Sequence, residues 1–198
     1  MMAKRAFDLL ASLLGVMVLA PFMVVIALVV KVDSPGPIIF RQQRVGREGR
    51  PFDILKFRSM RTESTGGRQI TVGGDSRITA SGKVLRKLKL DELPQLFNVI
   101  AGDMSIVGPR PEVPRYVEMY PPDVRAVVLS VRPGITDKAS VEFRNEEDLL
   151  AHSVDPETMY VREILPRKLG LHTAYVKSRS FLGDLVLIGR TIWTVARH

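Results

Sequence analysis

Residues 89–95 read Lys-Leu-Asp-Glu-Leu-Pro-Gln and set two carboxylates, Asp91 and Glu92, side by side in a basic protein. The run just before them holds four cations: Lys83, Arg86, Lys87 and Lys89. An ionised carboxylate among cations can act as a nucleophile toward a phosphoryl group. A second carboxylate can bind Mg²⁺, which bridges phosphate oxygens and offsets the repulsion between two anions. Neighbouring residues on a helix point about 100° apart. Nucleophile plus metal ligand therefore suits the pair better than a shared proton. The same residues also fit a structural role. An aspartate, a proline within the first turn and an apolar run are how helices begin.

Arg110 lies between two prolines in Gly-Pro-Arg-Pro, residues 108–111. The prolines restrict the backbone and preset the guanidinium, whose planar fork suits bidentate contact with phosphate. Arg86, Lys56, Arg58 and Gln95 join Arg110 as candidate substrate-binding residues.

These groups need elements to carry them, and the chain begins with membrane sequence. From Leu9 to Val30 no residue is charged. A helix over this run is about 33 Å long, roughly the hydrocarbon thickness. The run is longer than the apolar part of a signal peptide, and no small-residue cleavage site follows it. Lys4 and Arg5 precede it, as interface cations. Lys31, Arg41, Arg44, Arg47 and Arg50 follow it. Both flanks are basic, so the charge rule gives no clean orientation for a single crossing. Pro21, near the middle, is expected to kink the helix into arms at Leu9–Ala20 and Pro21–Val30. Two readings stay open: a re-entrant helix that returns to its own face, and a spanning helix with a tolerated proline.

Beyond the helix, Ile38–Arg44 and Phe52–Phe57 flank turn chemistry and predict a β-hairpin. Arg41 to Arg61 carries seven cations against Glu48 and Asp53, which suits either lipid headgroups or a phosphate site. The Gly/Ser/Thr-rich stretch from Thr62 predicts a mobile loop, and it lacks the P-loop spacing. A short helix is expected before the carboxylates and a second from about Asp91 to Ile100, stopped by Gly102. Further helices break at Pro121-Pro122 and at Pro133-Gly134. Asp155 and Pro156 start another, which Pro166 should kink. Leu182, Leu185, Ile188, Ile192 and Val195 form a helical stripe, with Trp193 placed to anchor at a membrane interface. The stripe fits an interfacial helix or core packing.

Composition bounds the function. The net charge is +8 and the pI about 10.0, so an anionic partner is expected. Cysteine is absent, which removes disulfides and thiolate chemistry. Aromatics make up 7% and do not interleave with the basic run, which argues against nucleic acid.

The strings Lys-Arg-Ala-Phe-Asp at residue 4, "FRQQRVGREGRPFDILKFRSM", "LRKLKLDELPQLFNVIAGDMSIVGPRP" and "VRPGIT" together resemble the bacterial sugar transferases known as monotopic phosphoglycosyl transferases. The resemblance covers most of the chain. It implies transfer of a sugar-1-phosphate from a UDP-sugar to a polyprenyl phosphate with Mg²⁺. In that route Asp91 attacks the β-phosphate and releases UMP, and the lipid phosphate then attacks the covalent phosphosugar-enzyme. Glu92 is associated with the metal, and Arg110 matches a phosphate-binding arginine. The resemblance also implies a re-entrant helix, placing the enzyme on the cytoplasmic leaflet of a bacterial inner membrane. A homodimer is left open.

Departures are visible. Ala20 precedes Pro21 where the family often has serine. Asp137, Lys138, Ala139 and Ser140 stand where Gly-x-x-Gln is usual, which bears on the sugar pocket. With no large multi-span domain before it, the chain resembles the minimal catalytic form. The expected fold is α+β and mostly helical. It has a re-entrant membrane helix over residues 1–31 and a catalytic domain over 32–198, with a small β-hairpin and several amphipathic helices near the membrane plane. Two other classes remain: a membrane-anchored basic scaffold and a metal-dependent phosphoryl hydrolase.

Overall fold

In the computed structural model, which describes residues 2–61, 72–73 and 75–196, the apolar N-terminal run forms one long helix, α1 (Met2–Asp33), with Pro21 inside it. The two expected arms are therefore parts of a single element. One face of α1 packs on the rest of the chain through Met23, Ile26 and Val30, against Phe57 and Leu85. The other face is bare: Leu10, Met17 and Leu28 are each more than half exposed. Such a face suits lipid rather than water.

Polar contacts fix both ends of α1 to the same body. At the start, Arg5 donates to the carbonyls of Val99 and Ile100 at 2.8 and 3.3 Å. Lys4 pairs with Asp184 at 2.6 Å. Asp8, buried, accepts from Ser105 Oγ at 2.8 Å and the Ile106 amide at 3.3 Å. Lys4 and Arg5, expected as interface cations, are thus engaged within the fold. At the far end Arg58 donates to the carbonyls of Val30 and Ser34 at 3.1 and 2.5 Å, and to Pro37 O. Asp33 accepts from Ser81 N and Oγ at 3.1 and 2.6 Å.

The hairpin pairs β1 (Ile39–Val45) with β2 (Pro51–Phe57) in antiparallel register, Phe40 opposite Lys56. Each bound lies within a residue of expectation. A 3₁₀ turn, Arg47–Gly49, closes it. Helix α2 (Ala80–Lys87) follows, with Thr79 Oγ1 accepting from Gly82 N at 3.0 Å as its N-cap. Residues 62–71 and 74 of the expected Gly/Ser/Thr loop lie outside the described residues.

Helix α3 (Gln95–Ala101) ends at Gly102, whose φ of 101° is the left-handed stop expected there. Its Asn98 does what a third strand would do. Asn98 Nδ2 donates to Asp53 O at 2.8 Å and Oδ1 accepts from Leu55 N at 3.0 Å. The open edge of β2 is thereby satisfied without a strand.

A pairing absent from expectation comes next. Strand β3 (Ser105–Val107) lies parallel to β4 (Gly134–Thr136). Between them run α4 (Pro114–Val117) and α5 (Pro122–Val128), split at the anticipated prolines. After β4 come α6 (Lys138–Glu142), α7 (Glu146–Ala151) and α8 (Pro156–Met159). Asp155 caps α8 as expected, accepting from Glu157 N and Thr158 N.

A π-helical turn, Tyr160–Ile164, leads into α9 (Leu165–Ser178). Pro166 explains it: without an N–H and with a ring that crowds the preceding turn, it widens the helix there. Tyr116, Val117, Leu150, Tyr160 and Leu169 form the largest core cluster. The last helix, α10 (Phe181–Ala196), keeps Leu182, Ile192 and Trp193 at 74%, 64% and 60% exposure. At Leu182 and Ile192 the stripe is therefore an outer face, not core packing. Among the described residues of α10, Asp184 is buried, joined to Lys4 and to Tyr175 Oη at 2.8 Å.

Candidate active site

The carboxylates owe their position to a backbone reversal. After α2, Lys89 adopts φ 56°, in the left-handed region. The chain then makes a 3₁₀ turn, Leu90–Glu92, and α3 starts only at Gln95. The helix expected from Asp91 is therefore a turn followed by a helix. Asp91 caps neither: its Oδ1 is buried and has no hydrogen-bond partner. The capping role is overturned by that bare oxygen.

Glu92 differs. Its Oε1 accepts from Lys56 Nζ at 3.0 Å and from Arg110 Nη2, and its Oε2 accepts from Arg110 Nη1 at 3.1 Å. Burial alone would raise its pKa, but Arg110 and Lys56 outweigh burial and hold Glu92 well below the usual carboxylate range. Asp91 moves the other way. Burial pushes it up, Glu92's like charge adds to this, and Lys56, Arg86 and Lys89 only partly oppose them. Burial pushes Lys56 down. Arg110 is pushed up chiefly by Glu92.

The site thus pairs a basic, unpartnered carboxylate with one locked among cations. Among the described residues no group of three or more acidic or histidine side chains is arranged to hold a metal. Asp91 Oδ1 is the oxygen that fits a hard cation, being buried and bare. Glu92, expected on the metal, has both oxygens taken by Arg110 and Lys56.

Arg110 is held by the β3–β4 pair. Gly108 N donates to Thr136 O at 3.1 Å and Gly134 N to Pro109 O at 3.0 Å. Arg110 Nη1 reaches Ile135 O at 3.4 Å, and Arg44 Nη1 donates to Pro111 O at 3.2 Å. The approach requires glycine: a Cβ on Gly134 would stand 2.1 Å from Gly108 N.

Of the sequence-predicted residues, the structure joins Asp91, Glu92, Lys56 and Arg110. Arg86 acts on Asp91 by charge while its guanidinium pairs with Glu147. Gln95 is fully buried, 0% exposed, with neither amide atom partnered. Arg58 is not brought to the cluster, because its guanidinium is spent on carbonyls at the end of α1. Sequence reasoning missed Arg44 and Asn98. It also missed a buried pair in which His172 Nε2 lies 2.7 Å from Asp137 Oδ2.

A buried acid with a bare oxygen thus lies beside an acid locked among cations, in a chain that opens with a helix long and apolar enough to cross a membrane. The chain matches the bacterial sugar transferase family across residues 1–198, and it belongs to that family. It is 37% identical over 195 residues to an Aeromonas hydrophila UDP-N-acetylgalactosamine-undecaprenyl-phosphate N-acetylgalactosaminephosphotransferase, covering 97% of this chain and 43% of that protein. It is 37% identical over 197 residues to a Klebsiella pneumoniae UDP-glucose:undecaprenyl-phosphate glucose-1-phosphate transferase, covering 98% of this chain and 40% of that one. A Caulobacter vibrioides protein of the same description is 36% identical over 192 residues, covering 96% and 68%. The chain thus spans less than half the length of the first two.

Proposed function

We propose that this chain transfers a sugar-1-phosphate from a UDP-sugar to a polyprenyl phosphate, as the first membrane step of polysaccharide or glycoconjugate synthesis. The observation that carries the reading is the bare Asp91 oxygen beside the Glu92–Arg110–Lys56 cluster. The names of the relatives, which describe undecaprenyl-phosphate sugar transfer, support it.

A donor diphosphate enters where Lys56, Arg86 and Arg110 supply positive charge. Asp91, ionised, forms a bond from a carboxylate oxygen to the sugar-bearing β-phosphorus. The bond from that phosphorus to the bridging oxygen breaks, and UMP leaves with that oxygen and the electron pair. A phosphate oxygen of the polyprenyl phosphate then attacks the same phosphorus and frees Asp91. Raised basicity suits Asp91 to attack, while the locked Glu92 keeps two cations aligned on the phosphates. Mg²⁺ held through Asp91 would offset charge between the carboxylate and the phosphates.

The membrane arrangement follows from α1. Both of its ends are bonded to one folded body, which favours a helix lying in one leaflet over one crossing both. UDP-sugars are cytosolic, so that leaflet is the cytoplasmic one. The test incubates protein, Mg²⁺ and a panel of UDP-sugars, with and without polyprenyl phosphate. UMP release and a phosphosugar adduct on Asp91 are expected without lipid. Sugar-1-phosphate released steadily without lipid would make it a hydrolase, and no UMP from any donor would leave the scaffold reading.

A further inference from the structure

The phosphate-binding arginine has a support outside the cation cluster. Asp137 follows β4 directly and is buried, as is His172 of α9. The two carboxylate oxygens of Asp137 have different partners. Oδ1 accepts from Ser140 N at 2.6 Å and caps α6. Oδ2 faces His172 Nε2 at 2.7 Å and the Arg110 amide at 3.4 Å. A cap needs one acceptor oxygen, so helix capping accounts for half of this carboxylate. The other half is turned to the backbone of Arg110. Its charge also reaches the guanidinium, since Asp137 is among the carboxylates that raise the Arg110 pKa, after Glu92.

The residue stands where the sequence departs from Gly-x-x-Gln, and a glycine there would offer no side-chain acceptor. We infer that Asp137, held by His172, is a positioning residue for Arg110: it fixes the Gly-Pro-Arg-Pro turn so that the guanidinium meets the donor diphosphate. The inference rests on the transferase reading above.

The geometry limits what each substitution does. In Asp137→Asn the side chain still has one oxygen to cap α6. An amide –NH₂ then replaces Oδ2, and this donor faces the Arg110 N–H donor. The turn loses its acceptor while the cap survives. Asp137→Ser likewise keeps a capping oxygen and lacks the second one. His172→Gln keeps a side-chain donor that can reach Asp137.

The experiment measures UDP affinity by calorimetry, alongside the KM for donor and for polyprenyl phosphate and the melting midpoint. Asp137→Asn and Asp137→Ser should each weaken UDP about five- to tenfold, the scale of one ordinary net hydrogen bond. The donor KM should rise in parallel, with the acceptor KM within about twofold. His172→Gln should stay near wild type. In an Arg110→Lys background, where the turn carries a different head group, Asp137→Asn should add less than about twofold. A purely structural role would act equally in both backgrounds. The inference is overturned if folded Asp137 variants bind UDP as wild type does. It is equally overturned if donor and acceptor KM rise together, or if the Arg110→Lys background shows the full effect. Absence of UMP release from wild type on every UDP-sugar would instead overturn the transferase reading beneath it.

Discussion

Neutralising Glu92 separates its two assigned roles, because they predict opposite signs. In the structure the buried Glu92 ion-pairs with two half-buried cations, Arg110 through both oxygens and Lys56 at 3.0 Å. Unit charges about 3–4 Å apart attract by roughly 4–5 kcal/mol at an effective dielectric of 20. Removing one member of a buried pair costs about 3–5 kcal/mol. Burial already pushes Lys56 toward its neutral form, and it can shed its proton once Glu92 is uncharged. Glu92→Gln should therefore cost near the low end, about 3 kcal/mol, or about 6–12 °C in melting midpoint for a chain of this size. The assay is thermal unfolding of both proteins in the same detergent without divalent cations. Salt should change the difference only in part, since Glu92 is buried and its partners half-buried. A Lys56→Met/Glu92→Gln double variant should recover about 3 °C or more, because the cost of neutralising Lys56 and leaving its amine unpaired is gone. Had Glu92 been an open metal ligand, neutralising it without metal would relieve its repulsion of Asp91 and raise the midpoint. A midpoint within about 1 °C of wild type, or above it, refutes the counter-ion reasoning.

Four further outcomes follow from the same geometry. Asp91→Asn should abolish adduct formation yet raise the melting midpoint at neutral pH by a few degrees. The folded pKa of Asp91 lies above the ordinary 3.8, so folding loses stability as pH rises through the raised value, and asparagine is spared that loss. The acid limb of kcat, measured by UMP release, should accordingly sit above the ordinary carboxylate range; a limb at or below 3.8 contradicts burial as the dominant effect. Arg58→Met should lower the midpoint, by about 5 °C or more from carbonyls left unpaired, while donor and acceptor KM stay within about twofold. A rise in donor KM without loss of stability would return Arg58 to the substrate. Asp137 is held at about 2 by His172 close beside it and by the hydrogen bond from the Ser140 amide, which outweigh burial. The stability it lends is present above pH 4 and lost as pH falls toward 2, so Asp137→Asn should differ most from wild type at neutral pH and least near pH 2.

Legibility tracked sequence distance. The caps and stops were readable because their partners lie within one turn, as Asp155 before α8 and Gly102 after α3 show. The cluster was readable in part, because acids among cations imply an anion site whatever the fold. Which cation goes where was not. Lys56 and Arg58 sit two residues apart on one basic hairpin, yet one meets Glu92 and the other the end of α1. The parallel β3–β4 pair has three residues to a strand, too few for a period to show. Asn98 completes the edge of a strand some 43–45 positions away, and nothing local marks an asparagine as doing so. The 3₁₀ turn at Leu90–Glu92 delayed the helix expected from Asp91 to Gln95, and it follows a left-handed Lys89 that nothing in a lysine signals.

The packing of α1 has a practical corollary for anyone wishing to work without detergent. Met23, Ile26 and Val30 are one wall of the cluster that holds Phe57 and Leu85, and Phe57 ends the strand that carries Lys56. Trimming the chain before Ile39 would therefore not liberate a soluble catalytic fragment. It would leave Phe57 and Leu85 facing water and strip Arg58 of the carbonyls at Val30, Ser34 and Pro37. The greasy segment is a structural half of the folded body that carries Asp91 and Glu92. Solubilisation is better sought by redesigning its bare side, at positions such as Leu10, Met17 and Leu28, than by cutting.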